Sequence, residues 1–474
     1  MPSLERDIAA ATRGPRVSAA LRASAWRPEL AATLTLAWPL VVAQLAQIAL
    51  MTTDVIMMGW LGAEDLAAGT LAAAFLHPLF LFGMGTVMAV TPLVAQAIGA
   101  RDFRNVRRST RQGFWVAITL SALLIPALWQ TEAFFLFVGQ EAEVSVMAGG
   151  YNRYASFMLL SALLFVALRS FLSAHGDTRI ILWITGAGIF VNALGNYGLM
   201  FGNFGLPRME LRGAGLSTSI VSAVNLAFAI AYVVTHRRFR RYYLFVRFWR
   251  PDWQRYRAIF RLGTPIGLTM LAETGMFASA AMFMGWLGTD ELAGHAIALQ
   301  LAAIAFMVPL GLSMATTVRV GLAAGRRDRP GVAVAGWTSL VLGIGFMGCT
   351  ALLFLAAPAL LVSAFLDPEV EANRIAFSFA VTYLGVAALF QLVDGAQVVS
   401  AAALRGLGDT AVPMVVAVTG YWLIGMPVAY LCGFVLELRG LGVWYGLAAG
   451  LAFVAVVLTL RFAMRERLGL VGGG

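Results

Sequence analysis

The chain lacks lysine altogether, and it has little charge and almost no cysteine. Charged residues make up 12% of its 474 residues, whereas soluble domains carry about 25%. The chain therefore lacks the polar surface of a soluble protein, and lipid must cover the difference. The two cysteines, Cys349 and Cys432, both lie in apolar stretches, which excludes a disulfide framework and a cysteine-based metal site. The four histidines have no ligand spacing: His77, His175, His236 and His295. We therefore expect no cofactor.

In place of polar surface the sequence has long apolar runs. Hydrophobic residues make up 60% of the chain, and the mean hydropathy is +0.80. A helix needs about 20 apolar residues to span a bilayer, and twelve runs reach that length: 33–59, 66–98, 112–138, 146–173, 179–202, 214–235, 262–287, 292–324, 332–362, 374–404, 411–435 and 441–463. The runs are continuous and contain glycine and proline, which favours helices over the alternating strands of a barrel. The sequence predicts an all-α membrane protein.

The arginines are distributed unequally between the two sides of the membrane. All 34 basic residues are arginine, and the net charge is +10. When successive loops are assigned alternately to two sides, 29 arginines fall on one side and five on the other. This bias places the Arg-rich side, and with it both termini, in the cytoplasm. It also accounts for the basic charge without nucleic acid as a partner.

The first 29 residues contain no apolar core of the kind that a cleavable signal peptide has. We expect the first run to act as its own insertion signal. The absence of targeting signals and the exclusive use of arginine favour a multi-pass protein of the bacterial inner membrane.

The second half of the chain repeats the first. MMGWLGAEDLAA at 57–68 returns as FMGWLGTDELAG at 283–294, an offset of 226 residues. Pro39 and Pro265, Gly99 and Gly325, and Asp102 and Asp328 pair at the same offset. Six crossings per half is an even number, so the repeat is parallel, and two like bundles leave a central cavity suited to alternating access. The predicted segments are a cytoplasmic tail (1–29), a six-helix bundle (30–236), a basic cytoplasmic linker (237–261), a second six-helix bundle (262–464) and a cytoplasmic tail (465–474).

Three carboxylates lie well inside the predicted spans, and none is duplicated: Asp54, Glu273 and Asp394. A charged side chain at the bilayer centre costs roughly 2.5–3.5 kcal/mol on insertion scales, and no arginine lies at matching depth in the predicted spans. Such acids usually face a cavity and bind or relay cations. Polar and adaptable residues share their helix faces and are candidates to line a substrate cavity: Gln47, Asn192, Asn196, Met270, Phe277, Phe390, Gln391 and Gln397. Packing between helices is the alternative role for the methionines and asparagines.

Several motifs resemble the multidrug and toxic compound extrusion family, in its NorM-like branch. They are QIALMTTDVIMMGWLG at 47–62, TPLVAQAIGA at 91–100, NALGN at 192–196, GAGLSTSIV at 213–221, LAETGMF at 271–277 and FQLVDGAQVVSAAALRGLGDT at 390–410. The resemblance covers about residues 30–464. It implies a V-shaped pair of bundles that exports organic, mostly cationic and amphipathic compounds, driven by inward Na⁺ or H⁺.

The resemblance also implies roles for particular residues. Glu273 and Asp394 would form the cation site of the C-terminal bundle, and Na⁺ is one candidate ion. Asp54 would be the acid of the N-terminal bundle, with Asn192, Asn196 and Thr218 around it. Pro39 would be the proline at which the first helix bends. Some relatives have a tyrosine one turn before the span-ten acid, where this chain has Phe390, so a Na⁺ ion here would need water or backbone oxygen instead.

Other functions remain as alternatives. GLGD at 406–409 matches a short motif of intramembrane aspartyl proteases, but a dyad needs a second aspartate, and we expect no enzyme. A lipid-linked sugar flippase would be expected to have a cavity lined with basic residues, and a narrow-substrate metabolite exporter or a rigid channel-like scaffold would keep the same fold. We expect a monomer whose partners are organic cations, a monovalent cation and the bilayer.

Overall fold

The computed structural model describes residues 19–246, 248–250 and 252–471, with side chains from residue 26 onward. Most of the predicted N-terminal tail and the last three residues of the predicted C-terminal tail lie outside the described residues. The N-terminal bundle consists of α1 (Ala19–Leu61), α2 (Ala63–Met88), α3 (Val90–Gly99), α4 (Phe103–Trp129), α5 (Thr131–Val138), α6 (Ala142–Ala155), α7 (Met158–Ala174), α8 (Arg179–Phe201) and α9 (Leu211–Thr235).

A short helix, α10 (Arg237–Arg240), begins the linker, and the C-terminal bundle follows it. Its helices are α11 (Trp253–Leu287), α12 (Thr289–Gly325), α13 (Arg329–Ala356), α14 (Pro358–Ser363), α15 (Arg374–Gly406), α16 (Ala411–Val418), α17 (Met426–Tyr430) and α18 (Arg439–Ala463). A 3₁₀ turn at Glu371–Asn373 precedes α15, and two π-helical segments, Thr419–Gly425 and Leu431–Val435, flank α17.

The prediction of twelve membrane spans is confirmed. Among the described residues, eleven helical stretches are long and apolar enough to cross a bilayer, and α6 with α7, bent by 43° at their junction, forms the twelfth. The first and seventh spans begin earlier than the apolar runs suggested, at Trp26 and Trp253. The predicted linker 237–261 therefore includes the first turns of α11.

Aspartates begin three of the helices on the Arg-rich side, and two of these aspartates, Asp102 and Asp328, are repeat partners. Asp102 accepts a hydrogen bond from the backbone N–H of Asn105 at 3.0 Å, and its repeat partner Asp328 accepts from Gly331 at 2.8 Å. Asp252 accepts from the N–H of Arg255 at 3.3 Å and so begins α11. Such side chains satisfy N–H groups that the helix itself leaves unpaired. The repeated acids are thus helix caps.

The two bundles meet along a contact surface that we call the seam, formed by α1–α3 of the first bundle and α11 and α12 of the second. A Cβ atom on Gly85 would lie 2.7 Å from the Cα of Gly267, and one on Gly311 would lie 2.7 Å from the Cα of Val41. These two contacts are equivalent by the offset of 226 residues. The repeat is therefore visible in the seam as an approximate two-fold axis, and glycine allows the backbones to approach this closely.

The seam lies toward the Arg-rich side, which carries the loops at 100–102, 175–178, 326–328 and 407–410 and the described part of the linker. Near this side Gly99 faces Gly325, and the side-chain amide of Gln96 donates to the carbonyl of Gly406 at 2.9 Å. These contacts involve the halves of the helices nearest the Arg-rich side. The bundles thus form a V that is closed there and diverges toward the opposite side.

Two ion pairs cross the seam on its closed side. Arg319 of α12 pairs with Glu29 of α1, with Nε 2.8 Å from Oε1. Arg108 of α4 pairs with Asp252 at 2.5 Å. The carboxylate side chains of both pairs are only 14% exposed, so water screens them less than it screens an ordinary surface pair. Both pairs must separate if the bundles part on this side.

Gly85→Ala tests the seam. The added methyl group would collide with the backbone of α11, and overpacking of this kind costs about 1–3 kcal/mol. We expect a lower melting temperature of the purified protein in detergent. Gly345→Ala is the matched control, because nothing lies within 4 Å of a Cβ at that exposed helical position. Equal melting temperatures for the two variants would contradict the close contact.

The basic linker is held against the N-terminal bundle. The Arg111 side chain donates to the carbonyls of Leu244 at 2.7 Å and Tyr243 at 2.6 Å. The indole N–H of Trp115 donates to the carbonyl of Phe248 at 3.0 Å, and their rings stack with centroids 5.1 Å apart. These contacts give the described part of the linker a defined path along the Arg-rich side.

His175, in the loop after α7, is a pH-sensitive attachment point of this linker. Its Nε2 lies 2.8 Å from the hydroxyl of Tyr242, and burial lowers the pKa of His175 to about 4, below the ~6.5 of an exposed histidine. The folded state therefore favours the neutral ring. Its contribution to stability is complete above about pH 6.5 and is lost as the pH falls toward 4.

We expect hydrogen exchange in residues 236–250 to accelerate as the pH falls through this window, after correction for the intrinsic pH dependence of exchange. His175→Gln should remove that acceleration, since an amide does not titrate. His236→Gln is the control, because His236 is exposed at the start of the linker. An acceleration that survives in His175→Gln would assign the effect to another group.

Candidate functional site

Asp54 lies at the centre of a polar site inside the N-terminal bundle. Its Oδ1 accepts hydrogen bonds from the side-chain amides of Asn192 at 2.9 Å and Asn196 at 2.6 Å. Both asparagines lie on α8, one turn apart, and both are fully buried. The structure brings these three side chains together, and their shared role in binding a cation stays a prediction.

The Asp54 site retains oxygen atoms that could bind a cation. The Oδ1 of Asn196 is buried and has no hydrogen-bond partner among the described residues. Thr218 lies nearby on α9 but donates its hydroxyl to the Ala214 carbonyl at 3.0 Å. Tyr151 of α6, which the sequence analysis missed, lies beside both Asp54 and Thr218. No pattern in the sequence distinguishes Tyr151 from other aromatic residues of the spans.

Glu273 and Asp394 come together in the C-terminal bundle through Gln397. The Gln397 amide donates to Glu273 Oε1 at 3.0 Å and approaches Asp394 Oδ1 at 3.4 Å. Asp394 is 4% exposed, and the two carboxylates are close enough for their charges to interact. Two carboxylates that share one amide would repel each other if both were charged. Binding of a proton or a monovalent cation relieves that repulsion.

Tyr421 orients the shared amide. Its hydroxyl donates to Gln397 Oε1 at 2.8 Å, and the ring is fully buried. Because the amide oxygen is thereby occupied, the amide nitrogen must point at the carboxylates. Tyr421 lies in the first π-helical segment of span eleven, and such segments occur frequently at functional sites. Sequence reasoning did not identify it, because a π-helical turn has no clear signal in the sequence.

Other predicted cavity residues differ in where they lie. Phe390 is 2% exposed and packs between Phe277 and Trp444, with ring centroids 6.1 and 5.6 Å away. Gln391 is fully buried and approaches the Ala302 carbonyl at 3.5 Å. Both therefore lie inside the C-terminal bundle and do not line the central cleft here, because the helix face that carries Asp394 points into the bundle.

The remaining predicted residues lie on α1 and α11. Gln47 is exposed, two turns before Asp54 on the same face of α1. Met270 is partly buried one turn before Glu273 and packs against the core near the seam. Pro39 is buried within α1, which continues through it. A hinge role for Pro39 stays a prediction.

Two arginines lie near the ends of their helices on the Arg-rich side, because α7 and α15 extend past Arg169 and Arg405 to residues 174 and 406. The two arginines come from different bundles and line one cleft at the seam together with Thr91 and Ser173. Arg405 is also close enough to Glu273 for their charges to interact. The interior is therefore not purely acidic.

Asp409, the acid of the GLGD motif, has a structural contact. Its Oδ2 accepts from Arg461 Nε at 2.6 Å in the loop after α15. Among the described residues, no group of three or more His, Cys, Asp or Glu side chains could hold a metal ion. The carboxylate and amide oxygens described above are suited to a proton or to a hard monovalent cation such as Na⁺.

Comparison with known proteins identifies the family. The MatE family profile matches residues 39–198 and 265–431, which is one match in each bundle. The chain belongs to the MatE family. A probable multidrug resistance protein NorM of Mesorhizobium japonicum is 45% identical over 445 residues, covering 94% of this chain and 95% of the relative. The NorM relative in Brucella suis is 43% identical over 453 residues, with 95% of each chain covered.

The architecture agrees with this membership. A solved structure described as the outward-facing conformation of a multidrug resistance MATE family transporter superposes with a TM-score of 0.83. That match covers 93% of this chain and 96% of the solved chain at 20% identity, so it bears on the fold alone. The predicted fold, with twelve spans in two bundles around a central cavity, is confirmed.

Tyr421→Phe tests how the C-terminal site is ordered. Removing the hydroxyl leaves the buried oxygen of Gln397 without its donor, which costs about 1–3 kcal/mol. We expect a lower melting temperature and less Na⁺-dependent or proton-dependent stabilisation. Tyr430→Phe is the control on the same span, because that ring is 50% exposed. If the two variants behaved alike, Tyr421 would not orient Gln397.

Proposed function

We propose that the protein is a cation-coupled multidrug antiporter, which exports organic, mainly cationic and amphipathic compounds. Family membership supports a multidrug efflux transporter. The observation that carries the finer proposal is the pair of carboxylates joined by Gln397, 3.0 and 3.4 Å from its amide, of which Asp394 is buried and Glu273 partly buried. Their geometry favours binding of a positive charge inside a bundle that borders the cleft.

Transport would follow from opening and closing of the seam. The conformation described here is closed on the Arg-rich side by the glycine contacts and by the ion pairs of Glu29 with Arg319 and of Arg108 with Asp252. In the proposed cycle the bundles rock so that these contacts break while the opposite side closes. The arginine bias supports a cytoplasmic location for the Arg-rich side and both termini, in the inner membrane of a bacterium.

Coupling would arise because the ion and the cationic drug are both attracted to the negative charge of Glu273 and Asp394. An ion or proton entering from outside neutralises the carboxylates at Glu273 and Asp394 and weakens the attraction for a cationic drug. Drug binding from inside must, by linkage, weaken ion binding equally. Asp54 would serve as a second cation or proton site, because its oxygens are separated from the first site by the cleft between the bundles.

The cleft between Arg169 and Arg405 favours one alternative. Two arginines with hydroxyl neighbours are typical of sites for anionic groups, and a lipid-linked sugar flippase carries a pyrophosphate. A narrow-substrate exporter of an anionic metabolite would use the same residues. The acids at Asp54, Glu273 and Asp394 outnumber these two arginines, and for that reason we favour cationic cargo.

Dye efflux tests the proposal. Cells without their own pumps would express the wild type or Asp394→Asn, be loaded with a fluorescent organic cation, and then receive a Na⁺ gradient or a pH gradient separately. We expect the wild type to export the dye under at least one gradient, and Asp394→Asn to lose at least 90% of that rate, since the coupling charge is gone.

Asp367→Asn is the matched control, because Asp367 lies in the loop before α15 and contacts only neighbouring loop residues. If neither gradient drives efflux although the protein is present in the membrane, that result would contradict the antiporter proposal. Export of an anionic dye that depends on Arg169 would instead support the alternative.

A further inference from the structure

Among the buried polar side chains of the C-terminal bundle that have unpaired atoms, three lie on α12, α15 and α18. His295 of α12 is 1% exposed, and neither of its ring nitrogens has a hydrogen-bond partner among the described residues. The same holds for Oε1 of Gln391 on α15 and Nε1 of Trp444 on α18. The rings of His295 and Trp444 lie 5.5 Å apart. Buried polar atoms are nearly always paired, so this cluster requires an explanation.

The side chains of His295 and Gln391 belong to a row at the contact between α12 and α15, beside Trp444 of α18, and we call this row the passage. On α12 the facing positions are Glu291, His295, Ala298 and Ala302, and each follows the previous one by about one helical turn. On α15 they are Tyr383, Ala387, Gln391 and Asp394. The alanines on both helices are 0–3% exposed. Small side chains therefore separate the polar ones, and no charged residue interrupts the row before Asp394.

The passage begins at the ion pair of Glu291 with Arg439, on the side of the membrane opposite the Arg-rich side. Glu291 is 1% exposed and accepts from the Tyr383 hydroxyl at 3.0 Å, from the Gly440 N–H at 3.0 Å and from Arg439. His295 follows Glu291 by one turn. Gln391 follows two turns deeper, because its amide approaches the Ala302 carbonyl. Asp394 lies one turn beyond Gln391.

A packing role for His295 does not explain these features. A histidine used for packing normally has at least one nitrogen in a hydrogen bond, and an unpaired buried donor and acceptor lower stability. A phenylalanine or leucine would fill the same space without that cost. An imidazole can instead take up a proton at one nitrogen and release another from the second, which uses both unpaired atoms.

We propose that His295 is a proton-binding relay, through which protons from the side of Glu291 and Arg439 reach Asp394 inside the C-terminal bundle. This inference rests on the proposed antiport function and deepens it, since it names the proton as the ion that uses this passage. One nitrogen of the neutral ring binds the incoming proton, and the N–H on the other nitrogen releases its proton to water on the side of Gln391 and Asp394. Such water would bridge the alanine-lined intervals, and the Gln391 amide would orient it without carrying the proton. No net charge stays on the ring.

The groups that face His295 are consistent with this direction of flow. Glu291 and Arg439 compensate each other at the entrance, with the Tyr383 hydroxyl bound to Glu291. Trp444, from α18, contributes only an indole N–H. At the inner end Asp394 and Glu273 supply negative charge. A proton on His295 is therefore attracted toward Asp394, and it arrives without entering the central cleft that the drug occupies.

The arrival of protons at Asp394 can be measured without any drug. Purified protein would receive a rapid drop in pH, and time-resolved infrared spectroscopy would follow the protonated carboxyl band that Asp394→Asn removes. We expect His295→Leu to slow the appearance of this band at least tenfold and to leave its final amplitude unchanged, because a relay alters the rate and not the equilibrium. The melting temperature of His295→Leu should equal or exceed that of the wild type.

His295→Gln provides a second variant of similar size and polarity, which should also be slow because an amide does not carry a proton. His77→Leu, at a partly buried histidine within α2 of the other bundle, should behave as the wild type. A wild-type rate in both His295 variants would overturn the relay, whatever the dye-efflux result. Efflux that fails in cells while this band still slows would count against the antiporter function and not against the proton passage.

Discussion

The close approach of two backbones at the seam is the constraint on which the rest of the structure depends. Gly85 against Gly267, and Gly311 against Val41, bring the two halves of the chain into contact at equivalent points. Because these contacts lie on one side of the membrane, the other ends of the helices must diverge and leave the central cleft. The cleft thus results from where the small residues lie. The repeated residues form the seam, and the unrepeated acids Asp54, Glu273 and Asp394 form the polar sites inside the bundles.

The polar interior is divided between the two bundles in a way that suits separate tasks. Asp54 is held by two amides of one neighbouring helix, whereas Glu273 and Asp394 share one amide that Tyr421 orients. Arg405 connects the second site with the seam, since it lies beside Gly406, whose carbonyl receives the Gln96 amide from the other bundle. A change of charge at Glu273 therefore acts on Arg405, and Arg405 is next to a residue that joins the two bundles.

Much of this could be predicted from the sequence, because the relevant signals are local or repeated. The apolar runs gave the spans, the offset of 226 gave the two bundles, and acids isolated in apolar runs indicated where polar sites would form. Asn192 and Asn196 could be assigned to one face by their spacing alone. The partner of Glu29 could not be predicted, since Arg319 is 290 residues away. Helix ends were also hard to place, and the first and seventh spans begin earlier than the apolar runs suggested. The π-helical turn that carries Tyr421 depends on packing against α18.

The fixed linker has a mechanical consequence for any rearrangement of the two halves. Arg111 and Trp115 hold Tyr243, Leu244 and Phe248 against the N-terminal bundle. These residues of the linker therefore move with that bundle as one body. Only a short length of chain joins Phe248 to Asp252, whose carboxylate begins α11. With so short a connection, the C-terminal bundle can tilt relative to the N-terminal bundle but has little freedom to slide along it. The C-terminal bundle should therefore swing about the foot of α11, and the largest displacements should occur at the end of the molecule farthest from it.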